Sequence, residues 1–273
     1  MLKWVLRKLL ARDFRRLEGQ IRVQGEELDA LRSRMDLDPG LVRDFQQIRA
    51  TESYLSAYDE AEPLVSVCVA TYNRGALLTE RCLASILTQT YQNLDVVVVG
   101  DACTDDTPER VAALGDSRIR FENLPARGSY PQDPDRRWMV AGTIPINRAL
   151  ELARGRFITH LDDDDSVPTD RVAKLLAFIK ETRADLLWHP FEYETAKGKW
   201  RVNSAFEFRK AQVTTSSVFY HEWLKNIPWD LDAHQYLEPG DWNRFRKIQW
   251  IGAKIARHPD LLLRHFKERN NSR

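Results

Sequence analysis

Cysteine is scarce in this chain, and long apolar runs and an excess of charge of either sign are absent. The three cysteines, Cys68, Cys82 and Cys103, include no C-x-x-C pair, so we expect no disulfide framework and a protein of the reducing cytosol. No apolar run approaches the roughly 20 residues that a membrane-spanning helix needs. The 41 basic and 40 acidic residues nearly balance, which excludes nucleic acid bound by bulk electrostatic attraction as a main partner.

The 273 residues, of which 43% are hydrophobic, suffice for one large domain or two small ones. The sequence pattern changes near residue 62. We therefore predict a helical segment and linker over residues 1–61, with the linker at 50–63, and a globular domain over 62–273.

A heptad repeat of apolar residues runs through the first 36 residues. Its a positions are Phe14, Ile21, Leu28 and Met35, and its d positions are Leu10, Leu17 and Leu31. This spacing predicts a coiled coil or a helix docked on a partner. The first turns are cationic and contain Trp4, which is typical of a helix that lies on an anionic membrane surface. Self-association through residues 1–36, peripheral membrane contact and packing on the chain's own domain all stay open.

The first turns are not expected to form a signal peptide, because charges interrupt their apolar stretch and a small-residue cleavage site is missing.

From Leu64 onward, strand-like runs alternate with helical ones. Strands are expected at 64–70, 94–100, 118–122, 156–161 and 184–190. Helices are expected at 76–90, 107–114, 143–153 and 168–181. This alternation predicts an α/β fold with a mostly parallel sheet covered by helices on both faces.

Ligands of such sheets bind outside the carboxyl ends of the strands. Three loops are expected there, and one of them contains four consecutive carboxylates, Asp162 to Asp165. Closely spaced carboxylate oxygens are what Mn²⁺ or Mg²⁺ requires when it bridges a protein to substrate phosphates. The alternative is a solvated turn that only caps the next helix, but the position in the sheet favours the metal.

Three motifs, in this order and spacing, resemble the family-2 glycosyltransferases with the GT-A fold. They are VSVCVATYNR at 65–74, VVVVGDACTDDT at 96–107 and ARGRFITHLDDDD at 153–165. The resemblance covers residues 64–180 most strongly. It implies a Rossmann-like GT-A domain with a nucleotide-binding half at 62–168 and an acceptor half at 169–273.

The resemblance assigns the base of a UDP-sugar to the loops after the first two strands. Tyr72, with Ala70 beside it, stands where the family packs an aromatic ring on uracil. Asp101 stands where a family acid accepts the uracil N3–H, whereas Gly100 replaces the acid that usually precedes it. By counting back from the following helix, Arg136 is the arginine expected to approach the nucleotide, and Arg137 is an alternative. Both belong to a Gly- and Pro-rich stretch, 126–137, that we expect to be a mobile loop over the site.

The resemblance also assigns the acids. It places the family D-x-D on Asp162 and Asp164, with Asp164 as the metal ligand and Asp162 or Asp163 supporting the ribose or the metal shell. His265 lies where some relatives supply a further metal ligand, although surface packing is the alternative. His160, inside a strand, is expected to be structural.

The general base is expected in the acceptor half. Asp241 matches the family carboxylate at the start of a helix beneath the acceptor, and Glu238 is the second candidate. Such a base would deprotonate the acceptor hydroxyl as it attacks the anomeric carbon. Capping of the same helix is compatible with this role.

The sequence therefore predicts an inverting, metal-dependent enzyme that moves a hexose or N-acetylhexosamine from a UDP-sugar to a glycan, lipid-linked or other hydroxyl acceptor. Two alternatives are a non-catalytic scaffold acting through its N-terminal helix and a nucleotidyltransferase. The acids at Asp101, Asp164 and Asp241 favour the transferase. Nothing resembles the Gly-rich, basic loop of many sugar nucleotidyltransferases.

Overall fold

The structure, a computed structural model of the chain, describes residues 37–204 and 206–267, together with 13, 14, 16–21, 23–25, 27, 28 and 31. These last positions are helical. Their heptad residues are exposed, with 65% of Phe14, 68% of Ile21 and 51% of Leu28 accessible to solvent. The rest of the helix predicted for 1–36 lies outside the described residues.

Residues 39–58, of which the second half was expected to be linker, form helices. Helix α1 is Pro39–Ile48 and α2 is Glu52–Leu55, followed by a 3₁₀ turn at Ser56–Tyr58. The side chains of Asp38 and Thr51 accept hydrogen bonds from the first turns of α1 and α2 and cap them.

These helices pack on the domain core. The Tyr54 ring stacks on His221 at 3.6 Å between centroids, and its hydroxyl donates to Asp185 at 2.8 Å. Phe45 packs on Trp223 at 4.9 Å. The expected linker at 50–63 is therefore corrected for residues 52–58, because buried aromatic rings tie this segment to the core.

The core of the domain is a seven-stranded sheet with the order β3-β2-β1-β4-β8-β5-β9. Its strands are β1 Val65–Thr71, β2 Leu94–Gly100, β3 Ile119–Asn123, β4 Phe157–His160, β5 Leu186–Trp188, β8 Val218–His221 and β9 Ile255–Arg257. Strand β8 runs antiparallel to both of its neighbours, and the remaining pairs are parallel. Buried β-branched and apolar residues fill β1 and β2 because both faces of the sheet are covered.

The helices follow the predicted alternation. They are α3 Gly75–Leu77, continued by a π-helical segment Leu78–Leu83 and by α4 Ala84–Leu87, then α5 Thr107–Ala113, α6 Pro134–Val140, α7 Thr143–Leu152, α8 Arg171–Thr182 and α9 Gly240–Trp250. Short 3₁₀ segments lie at Thr215–Ser217, Glu222–Asn226 and Leu231–Tyr236. Helix α5 begins at Thr107, with Asp106 at the N-cap position.

A smaller sheet, with the order β10-β6-β7, lies beside the first. Strands β6 Phe191–Ala196 and β7 Lys199–Asn203 form an antiparallel hairpin, and Gly198 at φ +72° makes its tight turn. Strand β10, Arg264–His265, pairs in parallel with β6. This pairing carries His265 back to the carboxyl edge of the main sheet.

Within the part of the chain that the structure describes, no helix combines the length and the apolar character needed to cross a bilayer.

Candidate active site

The three predicted loops meet at one edge of the main sheet. Strands β2, β1 and β4 are neighbours, so Asp101, Tyr72 and the acidic run Asp162–Asp165 follow adjacent strand ends. Thr71 at the end of β1 donates its hydroxyl hydrogen to Asp163 Oδ2 at 2.7 Å. The parallel topology alone explains the juxtaposition, because the carboxyl ends of parallel strands share an edge.

Tyr72 and Asp101, which were predicted to bind the base, lie at this edge of the sheet, and an arginine that was not predicted contacts both of them. Tyr72 is 36% exposed and Asp101 is buried. The Arg127 guanidinium carbon lies 3.7 Å from the Tyr72 ring centroid, and its Nε lies 3.5 Å from Asp101 Oδ2. Ala70, on β1 just before Tyr72, is partly buried, and its Cβ faces Gly142.

Arg136, predicted to approach the nucleotide, lies exposed on α6, where its main-chain N–H donates to the Asp133 side chain. Arg137 donates to the main-chain oxygens of Pro131 and Gln132 and so braces the loop. The count along the sequence selected Arg136, whereas Arg127, earlier in the same stretch, is the arginine beside Tyr72.

Side chains from distant parts of the chain neutralise the acidic run. Arg74 Nη1 lies 3.0 Å from Asp163 and 3.1 Å from Asp164. His265 Nδ1 lies 2.9 Å from Asp165 Oδ2, and the main-chain N–H of Phe266 donates to the other oxygen of that carboxylate. Arg81 Nη1 also donates to the main-chain oxygen of Asp164 at 2.7 Å. Three cationic groups therefore face four acids, which leaves room for further positive charge.

The pKa values of these groups reflect their burial and the repulsion between neighbouring carboxylates. Burial, followed by the charges of Asp163 and Asp165, raises the pKa of Asp164 to about 6. Burial and then Asp165 raise the pKa of Asp162 well above its ordinary value. Burial acts to lower the pKa of His265, but its hydrogen bond to Asp165 and the neighbouring carboxylates raise it to about 9. A divalent cation would relieve this repulsion.

Asp162, Asp165 and His265 each offer one ligand atom, and these atoms all lie within 4.8 Å of one another. Carboxylate oxygens suit Mn²⁺ and Mg²⁺, and imidazole is a common further ligand of transition metals. The donor set thus fits the predicted cation. The prediction for His265 agrees with this geometry, whereas Asp165 was not predicted as a ligand, and Asp164 faces Arg74.

Asp241, the predicted base, is the second residue of α9 and is only partly exposed. Burial raises the pKa of this carboxyl to about 6, although main-chain N–H groups of Trp242 and Thr215 and the charge of His265 act to lower it. The influence of His265 indicates that Asp241 and the acidic cluster are close enough to interact electrostatically. Asp241 could therefore accept a proton near neutral pH.

Glu238, the second candidate base, is buried, and both of its carboxylate oxygens accept hydrogen bonds from Arg246. Such a bidentate pair occupies both oxygens of the carboxylate. His160 is also structural, as predicted: it is fully buried and hydrogen-bonds the Tyr220 hydroxyl at 2.6 Å.

Comparison with known proteins identifies one protein family and several bacterial glycosyltransferases that are similar to this chain. The family described as Glycosyl transferase family 2 matches residues 66–130 and 141–228, more than half of the chain. The glycosyltransferase GlyG of Streptococcus pneumoniae is 31% identical over 140 residues, 50% of this chain and 42% of that protein. The Escherichia coli UDP-Glc:alpha-D-GlcNAc-diphosphoundecaprenol beta-1,3-glucosyltransferase WfaP is 32% identical over 117 residues, 43% of this chain and 41% of that protein. The chain spans about two fifths of the length of these curated relatives.

Solved structures share the fold. S. aureus TarS 1-349 in complex with UDP-GlcNAc superimposes with a TM-score of 0.59 at 21% identity, over 76% of this chain and 60% of that one. The mannosyltransferase PcManGT from Pyrobaculum calidifontis, in complex with GDP-Man and Mn2+, superimposes with a TM-score of 0.57 at 17% identity, over 90% of this chain and 70% of that one. At these identities the likeness shows the fold alone. Together with the family match, the GT-A-like α/β architecture shows that the chain belongs to glycosyl transferase family 2.

Proposed function

We propose that this protein is an inverting glycosyltransferase that moves a sugar from a UDP-sugar to a hydroxyl acceptor with the help of Mn²⁺ or Mg²⁺. The observation that carries the proposal is the cluster of Asp162, Asp165 and His265 at the carboxyl edge of the sheet. Asp241, with its raised pKa, lies within electrostatic range of that cluster. Metal ligands and a base near one another are what a single-displacement transfer requires.

Each group has a role in this proposal. Tyr72 stacks on uracil and Asp101 accepts its N3–H. Asp162, Asp165 and His265 would hold the metal, and Asp164 would join them on leaving Arg74. A bound divalent cation would supply positive charge that stabilises the departing diphosphate. Asp241 takes the proton from the acceptor hydroxyl, so the hydroxyl oxygen is the nucleophile at the anomeric carbon.

The donor sugar is proposed to be a hexose or an N-acetylhexosamine, and the acceptor a glycan or a lipid-linked saccharide. Support comes from relatives and from a structure of the same fold. The name of WfaP specifies UDP-Glc and a diphosphoundecaprenol-linked acceptor, and TarS was solved with UDP-GlcNAc. PcManGT, in contrast, was solved with GDP-Man, so the identity of the nucleobase, uracil or guanine, needs a direct test. We place the reaction on the cytosolic side, with membrane contact or self-association through residues 1–36.

A thermal-shift experiment tests the donor and the metal together. We expect UDP to raise the melting temperature in Mn²⁺ or Mg²⁺ and much less in EDTA, because a ligand that binds only the native state stabilises it by mass action. GDP is the matched control. A larger shift with GDP than with UDP would contradict the uracil assignment, and a shift unaffected by EDTA would contradict the metal.

A non-catalytic scaffold acting through the N-terminal helix is the second candidate, and the exposed heptad residues favour it. The same titration separates the two. A scaffold would show no metal-dependent UDP stabilisation and no release of UDP from UDP-sugars. The acidic cluster favours the enzyme, because a scaffold has no need to hold carboxylates with raised pKa values at one edge of the sheet.

A further inference from the structure

Arg127 makes two contacts with the pair of residues proposed to hold the base. Its guanidinium lies over the Tyr72 ring, 3.7 Å from the centroid, and its Nε forms an ion pair with Asp101 Oδ2 at 3.5 Å. The guanidinium is planar and carries N–H donors. It therefore combines a flat face on Tyr72 with a donor toward Asp101, which are the two features that a uracil ring would present there.

The neighbouring residues hold the loop in this position. The main-chain N–H of Gly128 donates to Asp101 Oδ1 at 3.4 Å, so both oxygens of that carboxylate face the loop. A Cβ on Gly128 would lie 2.0 Å from Ile144 Cδ1, which means that only glycine allows this close approach without displacing Ile144. Tyr130 is partly buried near Asp101, and burial and then that charge raise the pKa of its hydroxyl.

We infer that Arg127 is an internal mimic of the nucleobase, which occupies the base position in the nucleotide-free protein and must leave when the nucleotide binds. The inference rests on the proposed function, because it takes Tyr72 and Asp101 as the base site. Arg127 competes with the base for one ring face and one carboxylate. Its side chain is 45% exposed, so it can swing into solvent without crossing the core.

Competition of this kind has a defined sign. A side chain that must be displaced weakens the apparent affinity, because the binding-competent state is only a fraction of the population. Arg127→Ala removes the competitor and should bind UDP about three- to tenfold more tightly, the size of a partly exposed cation–π contact and one long ion pair. Uridine, which lacks the phosphates, should gain the same factor. Arg127→Lys keeps the charge but loses the planar face, so its affinity for UDP should lie between those of the wild type and Arg127→Ala.

Isothermal titration of UDP and of uridine, with Mn²⁺ present, tests this in the full chain. Arg209→Ala is the matched control, because it removes the same charge from a side chain that is 61% exposed, and it should bind like the wild type. Weaker UDP binding with unchanged uridine binding in Arg127→Ala would mean that Arg127 holds the diphosphate. Weaker binding of both would mean that it contacts the bound base, and no change would mean that it does not compete. Each of these three results overturns the inference.

Failure of the proposed function gives a different result, since then neither the wild type nor Arg127→Ala would bind UDP or uridine.

A spectroscopic measurement tests the displacement of Arg127 independently of the affinity. The Arg127 side-chain protons lie over an aromatic ring, so the ring current should shift their resonances upfield in the free protein. Addition of UDP should return them toward ordinary values and Tyr72→Leu should abolish the shift. An upfield shift that persists at saturating UDP would show that the base does not displace Arg127.

Discussion

Asp241 is set apart from the other acids of the site by its surroundings. The guanidinium of Arg74 contacts Asp164, and His265 contacts Asp165, whereas the Asp241 carboxylate accepts a main-chain hydrogen bond from Trp242 at 2.6 Å. Its pKa of about 6 comes mainly from burial. A carboxylate with this pKa is ionised at neutral pH yet basic enough to take a proton as the acceptor attacks.

We expect Asp241→Asn to abolish sugar transfer, with a loss of about two to four decades in rate, and to leave UDP binding nearly intact. The base takes a proton only as the reaction proceeds, so its loss acts on the transition state more than on donor binding. Asp162→Asn, in the proposed metal site, should instead weaken metal-dependent UDP binding and turnover together. Transfer rates and UDP titrations on both variants measure the difference.

Asp232→Asn, in an exposed acid of the same half of the chain, is the control and should behave like the wild type. The pH dependence adds a second check. Because the base must be ionised, wild-type turnover should fall as pH drops through about 6, while UDP binding at saturating metal should not follow the Asp241 titration. If Asp241→Asn kept transfer within a few-fold of wild type, the base assignment would be wrong.

At the scale of elements, the two short helices at 39–58 add buried aromatic residues to the core of the domain. They lie outside the stretch that matches the family, which begins at residue 66. Phe45, Tyr54 and Tyr58 are nevertheless at most 3% exposed. The acid that ends this network, Asp185, also binds Arg49 and the main-chain N–H of Lys254. The helices thus fasten the β5 and β9 side of the sheet.

We expect Tyr54→Ala to lower the free energy of unfolding by about 3–5 kcal/mol, the usual cost of deleting a buried aromatic side chain. Urea denaturation measures it. Leu55→Ala, on the same helix but with Leu55 38% exposed, is the control and should cost less than about 1 kcal/mol. Equal, small effects in both variants would mean that residues 52–58 behave as a linker after all.

The whole molecule combines a packed domain with an apolar helix face that faces solvent. Phe14, Ile21 and Leu28 at the a positions, and Leu17 and Leu31 at the d positions, are all more than half exposed. These residues therefore do not pack on the chain's own domain, which was one of three alternatives. An apolar seam of heptad spacing is typical of helices that pair.

We expect the N-terminal helix to mediate self-association, measured by light scattering on the full chain and on a chain beginning at Leu37. The shortened chain keeps Asp38 and α1, whereas a start near Glu62 would remove buried aromatic residues. Ile21→Glu should reduce the mass to that of the monomer. Val23→Glu should not, because Val23 is helical and 49% exposed but lies outside the seam.

Liposome binding is measured on the same proteins, because membrane contact is the alternative. Loss of liposome binding in the shortened chain, with no change of mass in the full chain, would assign the helix to a membrane surface instead. No change of mass and no loss of liposome binding would leave the helix with neither role.

The sequence by itself determined the alternation of strands and helices and the position of the acids. Strand β2 has the bounds expected from its β-branched run, since burial on both faces selects such residues. The acidic run and Asp101 could be assigned to one edge because parallel strands share it. Motif order then sufficed to indicate the family that the comparison shows.

Only the tertiary structure decided which distant side chains meet. His265 reaches Asp165 across 100 positions of the chain, through the pairing of β10 with β6. Arg127, rather than Arg136, covers Tyr72, and Arg246 occupies Glu238. Periodicity reports which face of an element is buried but not which partner covers it. Long-range contacts of this kind depend on loop paths and side-chain packing, which local sequence patterns do not specify.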